Sequence, residues 1–227
     1  MTNQLSKNVE AFAESIQWFG QASVKIQYSG KTIYIDPFNL KIPDNADVIF
    51  ITHPHFDHYS EEDINQIATP ETVIFCPNEL VESASKLGVA KVFGVASGFE
   101  TEWKGIIIKA VPAYNIVKSD KHPKEKGWLG FILNLGHVCI YHAGDTERIP
   151  EMKNISCDII LIPLGQTYTM NTVKDAVNAV LDTNASIAIP IHFGMYEGIQ
   201  EDAEFFKSEL AGKVDVIIPK TVRSVLN

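Results

Sequence analysis

An apolar run, DVIFIT (47–52), stops abruptly at HPHFDH, so a chain with seven histidines places three of them within six positions beside an aspartate. A continuous run of this kind is the pattern of a strand buried on both faces, as in sheets covered by helices. His53, His55, Asp57 and His58 then lie on the loop leading from that strand into a helix. Two more runs behave alike: DIILIPLG (158–165) leads into a helical pattern, and SIAIPIHFG (186–194) stops at His192. Open α/β sheets place their sites at such strand ends, so the chain reads as α/β with its chemistry at one edge. The opening stretch, residues 16–37, differs: alternation in Val24, Ile26 and Tyr28 and a Ser29-Gly30 turn make it a meander of short strands.

No linker, composition shift or repeat divides the 227 residues, and a single domain over 1–227 is expected. After the 158–165 run, Asn171 is the expected N-cap of a helix whose Val173, Ala176, Val177, Val180 and Leu181 share one face. The net charge of −9 disfavours a nucleic-acid partner, which needs basic patches. The first twenty residues lack the apolar core of a signal peptide, and no later segment is long and uncharged enough to cross a bilayer. Cys76, Cys139 and Cys157 are scattered, which suggests neither a disulfide framework nor a thiolate metal site and fits a reducing compartment. A cytoplasmic protein acting on a small molecule, with no nucleic-acid or membrane partner, is therefore expected; the oligomeric state stays open.

A lone histidine is usually a surface residue or a hydrogen-bonded core residue. Four ligand-type residues in six positions, with no apolar period to explain them, point instead to metal. Imidazole with carboxylate suits zinc, iron or manganese. His53 and His55 can converge on one ion while Asp57 and His58 turn toward a second. Remote residues must complete two sites: Asp145, in YHAGDTE (141–147), has two oxygens with which to bridge, and His192 adds a nitrogen. Asp36, in YIDPF, is either a carboxylate that orients a metal-bound histidine or a turn residue before proline. His137 follows Gly136 in a hairpin turn, and His142 reads as a core or supporting histidine.

These residues resemble the metallo-β-lactamase-fold hydrolases. The H-x-H-x-D-H signature stands as His53-Pro54-His55-Phe56-Asp57-His58, the bridging aspartate in Gly144-Asp145-Thr146, and the final histidine in Pro190-Ile191-His192-Phe193-Gly194. WFGQASVKI, IYIDPF, VPAYN, HPKEKGWLGF and YTM are similar to a small, stand-alone branch of metal-dependent hydrolases that includes ascorbate-phosphate lactonase-like proteins. The resemblance spans roughly residues 16–220 and implies an αββα four-layer sandwich with a dinuclear site at one edge. Two positions depart from it. Many relatives carry histidine where Gln21 stands, and those with a PAWHS-like segment place a ligand histidine where this chain has Asn115. The third nitrogen of the first site must then come from elsewhere. With His137 in a turn and His142 three residues before Asp145, His122 is the choice, and the Asn115 amide oxygen the alternative. Lys118, Lys121, Lys124 and Lys126 would then lie near the ions and attract an anionic substrate.

The expected ligands are thus His53, His55, Asp57, His58, His122, Asp145 and His192, holding two divalent cations, zinc in the first instance and otherwise manganese or iron. Hydroxide between the cations would cleave an ester, lactone or phosphodiester of a small substrate, with Asp57 orienting water and Asp145 shared between the ions. The alternative is an iron-containing redox or dioxygenase protein on the same scaffold.

Overall fold

The protein is described by a computed structural model covering residues 2–41 and 43–221, with side chains from residue 7 onward. A helix, α1 (Thr2–Ser15), precedes two sheets. The first sheet holds β1 (Gln17–Gly20), β2 (Ser23–Tyr28), β3 (Lys31–Ile35), β4 (Val48–Phe50), β5 (Val73–Pro77) and β6 (Lys91–Val95) in chain order. Its first three strands are the expected antiparallel meander, and β3 to β6 run parallel. The second sheet orders β13 (Asp215–Val216), β12 (Ile187–Ile191), β11 (Ile159–Pro163), β10 (Cys139–His142), β9 (Leu129–Asn134), β8 (Ile106–Pro112) and β7 (Glu100–Trp103). Its β10 to β13 half is parallel, the rest antiparallel.

Alternation along each strand decides which layer a side chain enters. Val48 and Phe50 of β4 face the core between the sheets, while Ile49 belongs to a second cluster. Phe50 stacks on Phe75 at 5.4 Å between ring centroids and meets Phe131 of the opposite sheet at 5.1 Å, fastening the two sheets face to face. The second cluster joins Tyr34, Ile49 and Ile74 to α2 (Glu61–Ile67) and α3 (Val81–Ala84), so these helices cover the first sheet's outer face. On the far side α4 (Val173–Asp182) and α5 (Gln200–Leu210) contribute Ala176, Val180, Ala203 and Phe206 to the larger core. This is the αββα arrangement expected from the sequence. No helix of the described residues is long and apolar enough to cross a membrane.

Two local expectations need correction. The N-cap of α4 is Thr172, not Asn171: the Thr172 hydroxyl accepts from Asp175 N at 3.1 Å, while Asn171 Oδ1 accepts from the Lys118 ammonium at 3.0 Å. Both residues are cap types, but only Thr172 has a carboxylate three positions on to share its hydroxyl, in the manner of a capping box. Leu181 is 39% exposed rather than part of the helix's buried face. Replacing Thr172 by Ala should destabilise the protein by about 1 kcal/mol in urea unfolding, the usual cost of a lost N-cap, and an unchanged midpoint would contradict this cap assignment.

Candidate metal centre

Strand ends build the site. Gln21 follows β1, Asp36 follows β3, the 53–58 loop follows β4, Asp145 follows β10, and His192 follows β12. The parallel pairing of β3 with β4 and of β10, β11 and β12 brings these C-terminal ends to one edge of the sandwich. Three of the residues take left-handed backbone, Gln21 and Asp36 with φ +48° and His192 with φ +56°. Non-glycine residues hold such conformations only where the surroundings enforce them. Here backbone bonds do so: His192 N donates to Gln21 O at 2.8 Å, linking the two sheets, and Asp36 N donates to Phe50 O at 2.9 Å. Gly144 is glycine for a related reason, because at φ +65° a Cβ would lie 2.6 Å from Leu129 O.

The structure brings all seven sequence-predicted residues together. His53 Nε2 lies 3.0 Å from His55 Nδ1 and 3.4 Å from His122 Nε2, and these three form one cluster whose ligand atoms are all within 4.8 Å of one another. Asp57, His58 and His192 form a second cluster on the same criterion. Asp145 stands between them. Its Oδ2 is 3.2 Å from His192 Nε2, 3.3 Å from His122 Nε2 and 3.9 Å from His53 Nε2, and its Oδ1 is 3.4 Å from His58 Nε2. Asn115 clasps the loop that delivers His122, its backbone N–H donating to His122 O and its side-chain amide to Lys118 O and Tyr168 O, while its Oδ1 is buried with no hydrogen-bond partner.

Around the clusters lie residues that aim them. Asp36 Oδ2 sits 2.7 Å from His58 Nδ1 and accepts from the Thr52 hydroxyl, while its Oδ1 accepts from Thr52 N. Asp36 is therefore an orienting carboxylate, and the turn is only how the chain places it. Glu197 does the same for His192, with Oε1 2.7 Å from Nδ1, and its other oxygen accepts from the backbone N–H groups of Thr167 and Tyr168. Trp128 packs 5.0, 4.9 and 5.3 Å from the rings of His53, His55 and His122, with its indole N–H on Glu79. Glu147 accepts from the N–H groups of Ile116, Val117 and Lys118 and so folds the start of the His122 loop. Gln21, buried, donates from Nε2 to Asp57 Oδ2 at 3.0 Å.

Sequence reading assigned no role to Gln21, Glu147 or Trp128 and missed Glu197 entirely. The only local trace of Glu197 is Gly165, where any Cβ would overlap the glutamate side chain. The lysine run also needs correction. Lys118 Nζ is held by Met170 O and Asn171, and Lys124 by Glu151 and Tyr114. Only Lys121 reaches the cavity, paired at 3.0 Å with Asp120.

The donors fit divalent cations. His58 Nε2 and Asp145 Oδ1 are buried and face each other without a hydrogen-bond partner, an arrangement that is costly unless a cation takes both. The donor set is imidazole and carboxylate with no thiolate, which suits zinc, manganese or iron. Burial, with His58 alongside, pushes His53 well below the ordinary imidazole range. Burial also works against protonation of His58 and His192, yet Asp145 and Asp36 hold His58 well above that range, and Asp145 and Glu197 raise His192 to about 10. Asp145, despite its own burial, is held well below the usual carboxylate range by His192 and His58. Without a cation, the carboxylates around His58 and His192 thus favour their protonated forms.

Two sheets with helices outside and an imidazole–carboxylate centre at their shared edge are the metallo-β-lactamase fold. The family model of the β-lactamase superfamily domain matches residues 15–192. The UPF0173 metal-dependent hydrolase of Lysinibacillus sphaericus is 32% identical over 226 residues, covering 92% of this chain and 98% of its own. Among solved structures, a metal-dependent hydrolase from Parabacteroides distasonis shares 31% identity with a TM-score of 0.80, over 91% of this chain and 92% of that one. CmlA, a diiron β-hydroxylase from Streptomyces venezuelae, shares the fold with a TM-score of 0.72 at 16% identity, over 90% of this chain and 52% of CmlA. The chain belongs to the β-lactamase superfamily, among the UPF0173 metal-dependent hydrolases.

Two predictions follow from the electrostatics. Because a cation competes with protons for Nε2 of His58 and His192, loading should release protons and tighten as pH rises toward about 10, where His192 loses its own proton. Calorimetry in buffers of different ionisation heat reads this, and pH-independent binding with no proton release would contradict it. Replacing Glu197 by Gln removes the charge behind His192 and should weaken cation binding roughly 10- to 100-fold in chelator competition; an unaltered affinity would leave Glu197 a loop brace only.

Proposed function

We propose that the protein holds two divalent cations, zinc in the first instance, and hydrolyses an ester, lactone or phosphodiester bond of a small molecule. The observation that carries this reading is the position of Asp145, whose two oxygens face nitrogens of both clusters. His53, His55 and His122 would hold one ion, Asp57, His58 and His192 the other, and Asp145 both. When bound, such a pair lowers the pKa of water toward ~7 and withdraws charge from the scissile oxygen.

The chain's own residues do the rest. Asp36 and Glu197 keep the Nδ1 edges of His58 and His192 turned away from the cavity, so that Nε2 of each faces inward. Gln21 grips one oxygen of Asp57 and fixes its rotation, leaving the other to orient the attacking water. As the water oxygen bonds to the electrophilic centre and the bond to the leaving oxygen breaks, Asp57 carries the proton between them. The cavity in front of these groups, 470 Å³, suits a small molecule, and the net charge of −9 argues against a polyanionic nucleic acid. The scattered, free cysteines agree with a reducing cytoplasm.

Elemental analysis of protein purified without added metal, followed by a panel of ester, lactone and phosphodiester substrates, tests the reading. Two zinc or manganese ions with turnover support it; redox-active iron with no hydrolysis across the panel would replace it with the iron oxygenase alternative. Asp145→Ala should abolish hydrolysis and lower the thermal midpoint, because it leaves buried imidazoles unpaired, while circular dichroism still reads a folded sandwich; full activity would end the dinuclear mechanism. Asp57→Ala should lower the bound metal from two toward one per chain. Two ions still present in that variant would undo the partition of ligands.

A further inference from the structure

The apolar residues left on the surface are unevenly placed. Ten large hydrophobic side chains are exposed among the described residues, and seven of them come from the loops that carry or border the cation ligands. Phe56 sits between two ligands of the 53–58 loop and is 65% exposed. Tyr196 follows His192 by four residues, is 48% exposed, and meets Phe56 edge to face at 5.7 Å. Tyr168 completes the group that lines the cavity. Ile116, Val117 and Met195 are exposed on the neighbouring loops but do not line the cavity. Scattered exposed apolar residues mean little, but a group gathered at a site marks what binds there. Charge at the mouth is nearly cancelled, because Lys121, the one lysine lining the cavity, pairs with Asp120.

We infer that the substrate carries an apolar acyl chain beside its scissile bond, seated against Phe56, Tyr168 and Tyr196 while the bond to be cut faces the Asp57–Asp145 end of the cavity. The inference rests on the hydrolase reading. The loop geometry explains why an aromatic stands inside the ligand loop: His55, Asp57 and His58 turn inward, and the residue between them must point to the mouth. The T-shaped contact of Phe56 with Tyr196 ties the two ligand loops across the opening and leaves a ring face for an alkyl chain. The Tyr168 backbone is held by Glu197, the carboxylate that aims His192, so this wall has a fixed distance from the reacting end.

The test uses the acetyl, butyryl, hexanoyl and octanoyl esters of one phenol with zinc-loaded protein, alongside calorimetric binding of acetate and octanoate. The expected result is that kcat/KM rises roughly two- to fourfold per added methylene until the cavity is filled. Octanoate should also bind more tightly than acetate. In the Phe56→Ala/Tyr196→Ala double variant the octanoyl-to-acetyl ratio should fall at least about tenfold, and the octanoate preference with it. These side chains are exposed, so the substitution does not threaten the core. A flat series in both catalysis and binding overturns the inference. If no ester is cleaved but the octanoate preference is present and lost in the double variant, the apolar seat stands and ester hydrolysis does not. If Phe56→Ser and Tyr196→Ser lower the sedimenting mass while the chain-length ratio stays unchanged, the rim is a face between copies of this chain and the inference is overturned.

Discussion

One carboxylate organises this protein's edge. Asp145 is buried with four imidazole nitrogens 3.2 to 3.9 Å away, and neither partner could be buried alone at tolerable cost. Everything around it serves to hold those imidazoles in place. Asp36, Glu147 and Glu197 each bind backbone N–H groups of a loop, and two of the three also grip a histidine. Part of the chain's acidic excess is therefore internal: it fastens irregular backbone to the sandwich where no strand pairing can. The sandwich supplies rigid strand ends, and the carboxylates turn them into a fixed cup.

The arrangement also couples the centre to folding. Imidazoles gathered this closely repel one another whenever more than one is protonated, and burial disfavours each charge. A cation that binds the folded cup and not the unfolded chain adds stability in proportion to the logarithm of its concentration over its dissociation constant. Cation binding would therefore add to the stability that the hydrophobic core between the sheets supplies.

Much of the centre was legible in the sequence because four of its seven candidate ligands stand together in one short segment. The dense 53–58 segment at the end of an apolar run needed only strand-end logic to become a site, while the runs buried on both faces gave an α/β architecture and the four-layer sandwich came from the family resemblance. His122 required elimination, and the structure places it beside His53. The aiming residues were not legible, for a physical reason. Glu197 reaches His192 across a turn, Trp128 reaches three histidines across a loop, and neither has a period or spacing that distinguishes it from any surface glutamate or core tryptophan. Their roles depend on tertiary contact alone. The lysine run misled in the opposite direction. Long side chains can reach back to carbonyls, as Lys118 does, so adjacency in sequence to His122 did not mean facing the cavity.

Gly165 and Glu197 occupy one volume: the glutamate side chain lies where any residue at 165 larger than glycine would place its Cβ. The two positions are thirty-two apart in the chain yet share one space. A side chain at 165 would require the Glu197 side chain to move or to be shortened, and either takes the carboxylate away from His192 Nδ1. The glycine thus keeps room for the carboxylate that aims a histidine twenty-seven positions further along the chain.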